Sequence, residues 1–190
     1  MELIPRFFTP PEESFFLFGA RGAGKSTILK NKFKDAQVLD LLDPALFRKL
    51  MANPELLSEI ISGHPEVRIW VIDEIQRIPE LLPVVHHWIE TQWHESRGRK
   101  KRLRRQFILT GSSARKLKST GVDLLGGRAQ ECRLYPFIAA ELGPSFSLDL
   151  AMKNGMLPLV HQSRGYAAKL SGYLSLYMQM EVQAEGLVRS

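Results

Sequence analysis

The sequence predicts an α/β fold, in which a five-stranded parallel sheet lies between helices and a short helical segment follows at the C-terminus. Short apolar runs alternate along the chain with stretches whose apolar residues recur at helical spacing. A glycine-rich loop follows the first apolar run, and two acids follow the third. Ligands of such sheets bind at the carboxyl ends of the strands. Both features therefore indicate a site at one edge of the sheet.

The same patterns place the individual elements. Strands are predicted at 15–18, near 38–39, at 68–72, at 107–109 and at 130–135, where Pro136 ends the last one. Helices are predicted after the glycine-rich loop, at 45–51, at 54–61, from about 81, from about 113, and from 166 to about 184. We expect residues 1–143 to form one core domain. Residues 144–190 would form a helical, lid-like segment that begins a truncated C-terminal region.

Composition narrows the class of protein. With 44% hydrophobic and 24% charged residues, the 190-residue chain is typical of a globular domain and unlike a disordered one. A single cysteine, Cys132, excludes an internal disulfide and a zinc site built from several cysteines. No apolar run is long enough to span a bilayer, and the N-terminus lacks the pattern of a signal peptide. We therefore expect a cytoplasmic protein without a membrane partner.

The glycine-rich loop is the most specific motif in the chain. Residues 19–26 read GARGAGKS, which fits the phosphate-binding pattern G-x-x-x-x-G-K-[ST] between a strand and a helix. Its backbone N–H groups and the helix dipole suit an anion, Lys25 would reach the β- and γ-phosphates, and the Ser26 hydroxyl would bind Mg²⁺. The residues expected to contact the nucleotide are Gly19, Ala20, Arg21, Gly22, Ala23, Gly24, Lys25, Ser26 and Thr27. The motif predicts a P-loop NTPase that binds ATP with Mg²⁺.

Two further strand ends supply candidate catalytic groups. The third strand ends in Asp73 and Glu74, so Asp73 would hold Mg²⁺ and Glu74 would deprotonate the attacking water. The fourth strand ends in a polar stretch, where Ser112 is the first candidate to hold the water or sense the γ-phosphate and Thr110 the second. Ser112 or Ser113 could instead cap the following helix. These roles are compatible if different serines take them.

These motifs together carry a resemblance. The order of GARGAGKS, IDEIQRIPEL, FILTGSS and LLGGRAQECRLYPFIAAEL resembles that of prokaryotic AAA+ type ATP-binding proteins that carry a further C-terminal domain. The likeness is close over residues 10–145 and weaker beyond, and we expect this chain to lack a counterpart of that second domain. It implies an AAA+ core with Mg²⁺-dependent ATP hydrolysis, and it makes Arg128 a candidate arginine finger for a neighbouring subunit. The resemblance identifies no arginine in the lid-like segment that could act as a second sensor of the nucleotide.

The positive charge is concentrated in one segment. Residues 97–105 carry seven positive charges, and removing them from the formal charge of +6 leaves −1 for the rest of the chain. Such a run is a solvated loop or a contact to nucleic acid phosphates. Its charged members are Arg97, Arg99, Lys100, Lys101, Arg102, Arg104 and Arg105.

Two functions remain open from the sequence. The first is an ATPase whose nucleotide state drives a partner or an appended domain, and such an ATPase could act as a homo-oligomer. The alternative is a nucleotide-gated binding module with little turnover. Glu74 favours the ATPase, because a binding switch needs no base beside the metal acid. A small-molecule kinase is less favoured, since no lid and acceptor pocket are recognisable.

Overall fold

A computed structural model of the chain describes residues 3–95, 104–112, 114, 117, 127–161, 163 and 165–178. The described strands form one parallel sheet in the order β2-β3-β4-β1-β5. They are β1 (Phe15–Phe18), β2 (Gln37–Asp40), β3 (Ile69–Asp73), β4 (Gln106–Gly111) and β5 (Gln130–Arg133). The predicted α/β fold with a five-stranded parallel sheet is confirmed.

Helices cover both faces of this sheet. The first four are α1 (Lys25–Lys32), α2 (Pro44–Ala52), α3 (Leu56–Gly63) and α4 (Leu81–Glu95). All four residues of β1 are buried. Phe16 and Phe18 pack with α2, α3 and α4 on one face, whereas Phe15 and Leu17 pack with α1 on the other. The apolar run at 15–18 is therefore continuous because the sheet is covered twice.

The C-terminal part of the described chain consists of short helices. They are α5 (Ala139–Leu142), α6 (Leu148–Asn154), α7 (Pro158–His161) and α8 (Tyr166–Gly172), followed by a π-helical turn at Tyr173–Met178. The backbone N–H of Leu159 in α7 donates to the carbonyl of Gly22 at 3.2 Å, which attaches this group of helices to the glycine-rich loop. None of the helices that the structure describes is long and apolar enough to cross a bilayer.

Several boundaries differ from those predicted. Strand β5 ends at Arg133 because its partner β1 ends at Phe18. The last hydrogen bond between the two segments runs from the backbone N–H of Leu134 to the carbonyl of Phe18, at 2.7 Å. Helix α3 begins at Leu56, since Pro54 and Glu55 form a turn before it. The final helix begins at Tyr166 as predicted, but residues 179–184 lie outside the described part of the chain, as does most of the helix expected from 113.

Candidate functional site

The glycine-rich loop joins β1 to α1 at the carboxyl edge of the sheet. Gly24, the residue before α1, has φ +94°, a left-handed conformation that side chains rarely adopt. A Cβ on Gly19 would lie 2.3 Å from the carbonyl oxygen of Leu134, so only glycine fits where the loop passes β5. The predicted motif thus forms a tight turn that ends at the N-terminus of a helix, the arrangement that binds phosphate.

Lys25 is buried within this loop, with 6% of its surface exposed. Its ammonium group donates to the carbonyl oxygens of Gly19 at 2.7 Å and Ala20 at 3.4 Å. A buried ammonium needs such partners, and phosphate oxygens can replace them without desolvating the charge again. The side chain is therefore already at the position where a point charge would meet a phosphate.

A chain of hydrogen bonds connects this loop to the two acids. The Ser26 hydroxyl donates to Oδ2 of Asp73 at 2.9 Å, and the Thr110 hydroxyl donates to Oδ1 of the same carboxylate. The Thr110 oxygen also accepts the backbone N–H of Glu74 at 3.1 Å. The fully buried Thr110 therefore fixes both acids. Ser112 lies half-buried at the tip of β4, and its role stays a prediction.

The backbone of Glu74 has an unusual conformation. At φ 62° and ψ 45° it is the one non-glycine residue with positive φ among those the structure describes. Such residues cost of order 1 kcal/mol or more and cluster at functional sites. The carboxylate accepts a hydrogen bond from the side-chain amide of Gln76, in the 3₁₀ turn Ile75–Arg77. The side chain and the backbone of Glu74 are thus held by separate partners.

A cavity of about 440 Å³ opens between the loop, the acids and the C-terminal helices. Arg21, Lys25, Ser26, Asp73 and Glu74 line one side of it. Pro158 and Leu159 of α7 and Lys169 of α8 line the other. No cation of the lid-like segment was predicted from the sequence, and Lys169 supplies a positive charge at that position.

A second, more apolar cavity of about 270 Å³ shares Gly24, Thr27 and Pro158 with the first. Its other walls are the N-terminal segment at 3–6, helix α1 and Phe137. Apolar surface beside a phosphate loop suits the base and sugar of a nucleotide. The two cavities together provide room for both halves of such a ligand.

Arg6 fixes the N-terminal segment against this second cavity. Its guanidinium donates to the carbonyls of Ala23 at 2.8 Å and Tyr135 at 2.5 Å, and it stacks over the ring of Phe137. It also forms an ion pair with Glu141 of α5 at 3.0 Å, in which the two side chains are 9% and 5% exposed. Arg6 thereby joins the N-terminal segment, the phosphate loop and helix α5.

Arg128 lies at the other edge of the sheet. It lies two positions before Gln130, the first residue of β5, which pairs with the first residue of β1. Its guanidinium forms an ion pair with Glu90 of α4, and 46% of the Arg128 side chain is exposed. The length of a strand therefore separates Arg128 from the phosphate loop of its own chain. A role in a neighbouring subunit's site stays a prediction.

The basic segment is only partly described. Arg97, Arg99, Lys100, Lys101 and Arg102 lie outside the described residues. Arg104 lines a cavity at the amino edge of the sheet. Arg105 stacks over the ring of Trp88, and its backbone N–H donates to the side chain of Gln92 at 2.5 Å. Arg105 therefore helps to pack the end of the segment against α4.

Cys132 lies in β5, where it is partly buried. Burial raises the pKa of its thiol above the ordinary value. Because the thiolate is the reactive form, Cys132 should be a poor nucleophile at neutral pH.

Two mycobacterial proteins are similar to this chain in sequence. The chain is 26% identical over 175 residues to the uncharacterized proteins Rv2008c of Mycobacterium tuberculosis and Mb2031c of Mycobacterium bovis. The match covers 90% of this chain and 36% of those proteins, so the chain spans about a third of their length. Their names indicate no activity.

Among solved structures, the Walker-type ATPase PABY2304 of Pyrococcus abyssi is similar with a TM-score of 0.51. It is 16% identical, and the match covers 89% of this chain and 69% of that one. AMPPCP-bound DnaA of Aquifex aeolicus has a TM-score of 0.46 at 16% identity, over 90% of this chain and 57% of that one. At this identity, the likeness to PABY2304 concerns the fold alone.

The family model described as an AAA domain matches residues 11–143. That range contains the phosphate loop, both acids, Thr110 and Arg128, and it confirms the resemblance found in the sequence. Membership supports nucleotide binding. The chain therefore belongs to the AAA domain family.

Proposed function

We propose that the chain is a Mg²⁺-dependent ATPase that couples its nucleotide state to a partner or an appended domain. The observation that carries the proposal is the contact between the Ser26 hydroxyl and Asp73 at 2.9 Å. It joins the phosphate loop to the acid pair at one cavity. The alternative, a nucleotide-gated binding module, would need the same loop but not Glu74.

The donor set fits a magnesium ion. Ser26 offers a hydroxyl oxygen and Asp73 a carboxylate oxygen, and Mg²⁺ is usually held by a few such oxygens together with substrate phosphates. Bound there, Mg²⁺ would neutralise charge that develops on the β- and γ-phosphates. Lys25 would exchange its carbonyl partners for phosphate oxygens, and Arg21 and Lys169 would add positive charge at the mouth of the cavity.

Hydrolysis then needs a base beside the γ-phosphate. Glu74 lines the same cavity as Lys25 and Ser26, and its backbone is fixed by Thr110. As the oxygen of a water molecule bonds to the γ-phosphorus, Glu74 would take one proton from it. The bond from that phosphorus to the β–γ bridging oxygen breaks, and the electron pair leaves with ADP.

Calorimetry with MgATP tests the binding half of the proposal. Lys25→Ala should abolish detectable binding, because the phosphates lose the buried positive charge of the loop. Lys30→Ala is the matched control, since Lys30 is an exposed lysine of the same helix and lines neither cavity. Unchanged affinity in Lys25→Ala would mean that the nucleotide binds elsewhere.

Phosphate release tests the catalytic half. Glu74→Gln should bind MgATP as the parent does and hydrolyse it about 10²- to 10⁴-fold more slowly, the usual loss on removing a general base. Glu80→Gln, an exposed acid six positions further on, should hydrolyse at the parental rate. If the parent binds ATP but shows no turnover, or if Glu74→Gln is as fast as the parent, the binding-module alternative is the better description.

A further inference from the structure

The amide of Gln76 has one orientation that its neighbours permit. A carboxylate accepts hydrogen bonds and donates none, so the NH₂ group of Gln76 must face Glu74. The amide oxygen Oε1 then lies on the opposite side. There it is buried, without a hydrogen-bond partner in the described part of the chain. A buried acceptor without a partner is destabilising, so the orientation that lets Gln76 donate to Glu74 costs free energy of folding.

The space around this oxygen depends on Gly111 at the end of β4. A Cβ on Gly111 would lie 2.8 Å from Oε1 of Gln76 and 3.2 Å from the ring of Phe18. The carbonyl of Gly111 accepts the backbone N–H of Gly19 at 3.3 Å, so this position adjoins the start of the phosphate loop. Gln76 can therefore reach Glu74 from this side because position 111 has no side chain.

We propose that Gln76 is the positioning residue that orients the Glu74 carboxylate toward the attacking water. The inference rests on the ATPase function proposed above. A general base works best when a third group fixes its orientation, as in other base-assisted sites. Gln76 occupies Oε2 of Glu74, which leaves Oε1 of the carboxylate to accept the proton from water.

The backbone and the carboxylate of Glu74 are then each held by a different element of the fold. Thr110 of β4 holds its backbone N–H, and Gln76 of the following 3₁₀ turn holds its side chain. Without Gln76 the carboxylate would rotate freely about its last side-chain bond. Misplacement of a reacting group by about 1 Å can cost roughly 10²-fold in rate.

Steady-state kinetics of Gln76→Leu test this role, since leucine fills a similar volume without the amide. We expect kcat to fall about 10²-fold while KM and MgATP affinity stay at the parental values. Gln37→Leu is the control, because Gln37 is exposed at the amino end of β2. A parental kcat in Gln76→Leu would overturn the inference. A raised kcat would also overturn it, because Gln76 would then restrain the base instead of orienting it.

A double-mutant cycle separates positioning from a purely structural role. In the Glu74→Gln background, adding Gln76→Leu should change single-turnover hydrolysis by less than about twofold, because the residue acts through the base that is already removed. Independent, multiplicative losses would contradict the inference. Gly111→Ala provides a second approach if Gln76→Leu folds poorly. It should lower kcat by displacing the Gln76 amide and should add nothing in a Gln76→Asn background.

These outcomes also separate the inference from the function on which it rests. If the parent hydrolyses ATP and Glu74→Gln is slow, but Gln76→Leu is parental, only the role of Gln76 fails. If the parent itself does not hydrolyse ATP, the ATPase proposal fails and the role of Gln76 fails with it.

Discussion

The two edges of the sheet use polar residues differently. At the carboxyl edge, Lys25, Ser26 and Asp73 are fixed by short hydrogen bonds, and they surround an open cavity. At the amino edge, Arg128 pairs with Glu90, which also lies 3.5 Å from His86. Charges there interact mainly with one another. The cavity at the carboxyl edge thus has a phosphate loop and an acid pair fixed beside it, whereas the cavity at the amino edge is lined by Arg104 and Arg128 without such an acid pair in the described part of the chain.

The difference shows what Arg128 would need in order to act as a finger. Its partner Glu90 belongs to its own chain, and the side chains of Arg128 and Glu90 are 46% and 27% exposed. A pair with one half-exposed member is screened by water and contributes about 1 kcal/mol. A neighbouring subunit's nucleotide could therefore draw Arg128 away from Glu90 at little cost. The amino edge of one subunit would then complete the carboxyl edge of the next.

Mixed oligomers give the test with the largest expected effect. Arg128→Ala should slow hydrolysis about 10³- to 10⁵-fold, or roughly 4–7 kcal/mol, if the finger acts between subunits. Mixing it with Glu74→Gln should restore part of the activity, because one variant supplies the base and the other the finger. Mixed oligomers that stay inactive would place the action of Arg128 within its own chain, and a fully active Arg128→Ala would remove it from the mechanism.

Glu141→Gln should have the next largest effect. Glu141 accepts hydrogen bonds from Arg6 at 3.0 Å and from the backbone N–H of Phe7 at 2.8 Å. Loss of the charge leaves the buried Arg6 guanidinium with carbonyl partners but no counter-charge, which should lower the free energy of unfolding by about 3 kcal/mol. Urea denaturation measures this change, and MgATP affinity should fall with it. Glu131→Gln, which breaks the exposed pair with Arg133, is the control and should behave like the parent.

Neutralising charges of the basic segment at 97–105 should have a smaller effect, on nucleic-acid binding, and only if the segment binds nucleic acid. If it binds DNA or RNA, neutralising Arg99, Lys100, Lys101 and Arg102 should weaken binding to any sequence. The salt dependence should flatten by up to about 0.9 log units for each phosphate that the segment no longer neutralises. Fluorescence anisotropy over a range of salt concentrations measures both quantities. No binding of the parent at low salt would identify the segment as a solvated loop.

Glu90→Gln should have the smallest effect. Because the Arg128 side chain of this pair is about half exposed, the substitution should change the free energy of unfolding by about 1 kcal/mol or less, measured by urea denaturation. If Arg128 serves a neighbouring site, turnover should stay the same or rise slightly, because the competing partner is weakened. A large loss of stability would mean that the amino edge depends on this pair.

The groups whose positions follow from strand ends are predictable from the sequence. The phosphate loop, Asp73 and Glu74 each come at the end of a strand, and parallel strands bring such residues to one edge. Ser112 ranked above Thr110 as a candidate because residue order does not say which hydroxyl at a strand end points toward the acids. Thr110 is the one that the structure brings into contact with both.

Contacts between distant segments could not be predicted in this way. Arg6 and Glu141 are 135 positions apart, and no local pattern links an N-terminal arginine to a short helix beyond the sheet. Lys169 lies on a helix that is recognisable in the sequence by its apolar residues, which say nothing of where its polar face points. Gln76 lies only two positions after Glu74 in the sequence. Its contact with Glu74 nevertheless depends on the glycine at position 111, where a Cβ would collide with the Gln76 amide.

The position of β1 in the sheet has a consequence for how the protein folds. Although β1 comes first in the chain, it pairs with β4 and β5, where Phe15 lies beside Ile108 and Gln130. Strand β3 pairs with β2 and with β4 over shorter separations along the chain. The longer separations of β1 from its partners slow folding, so we expect β1 to pair late. During refolding, nucleotide binding should therefore recover after most of the helical signal has returned.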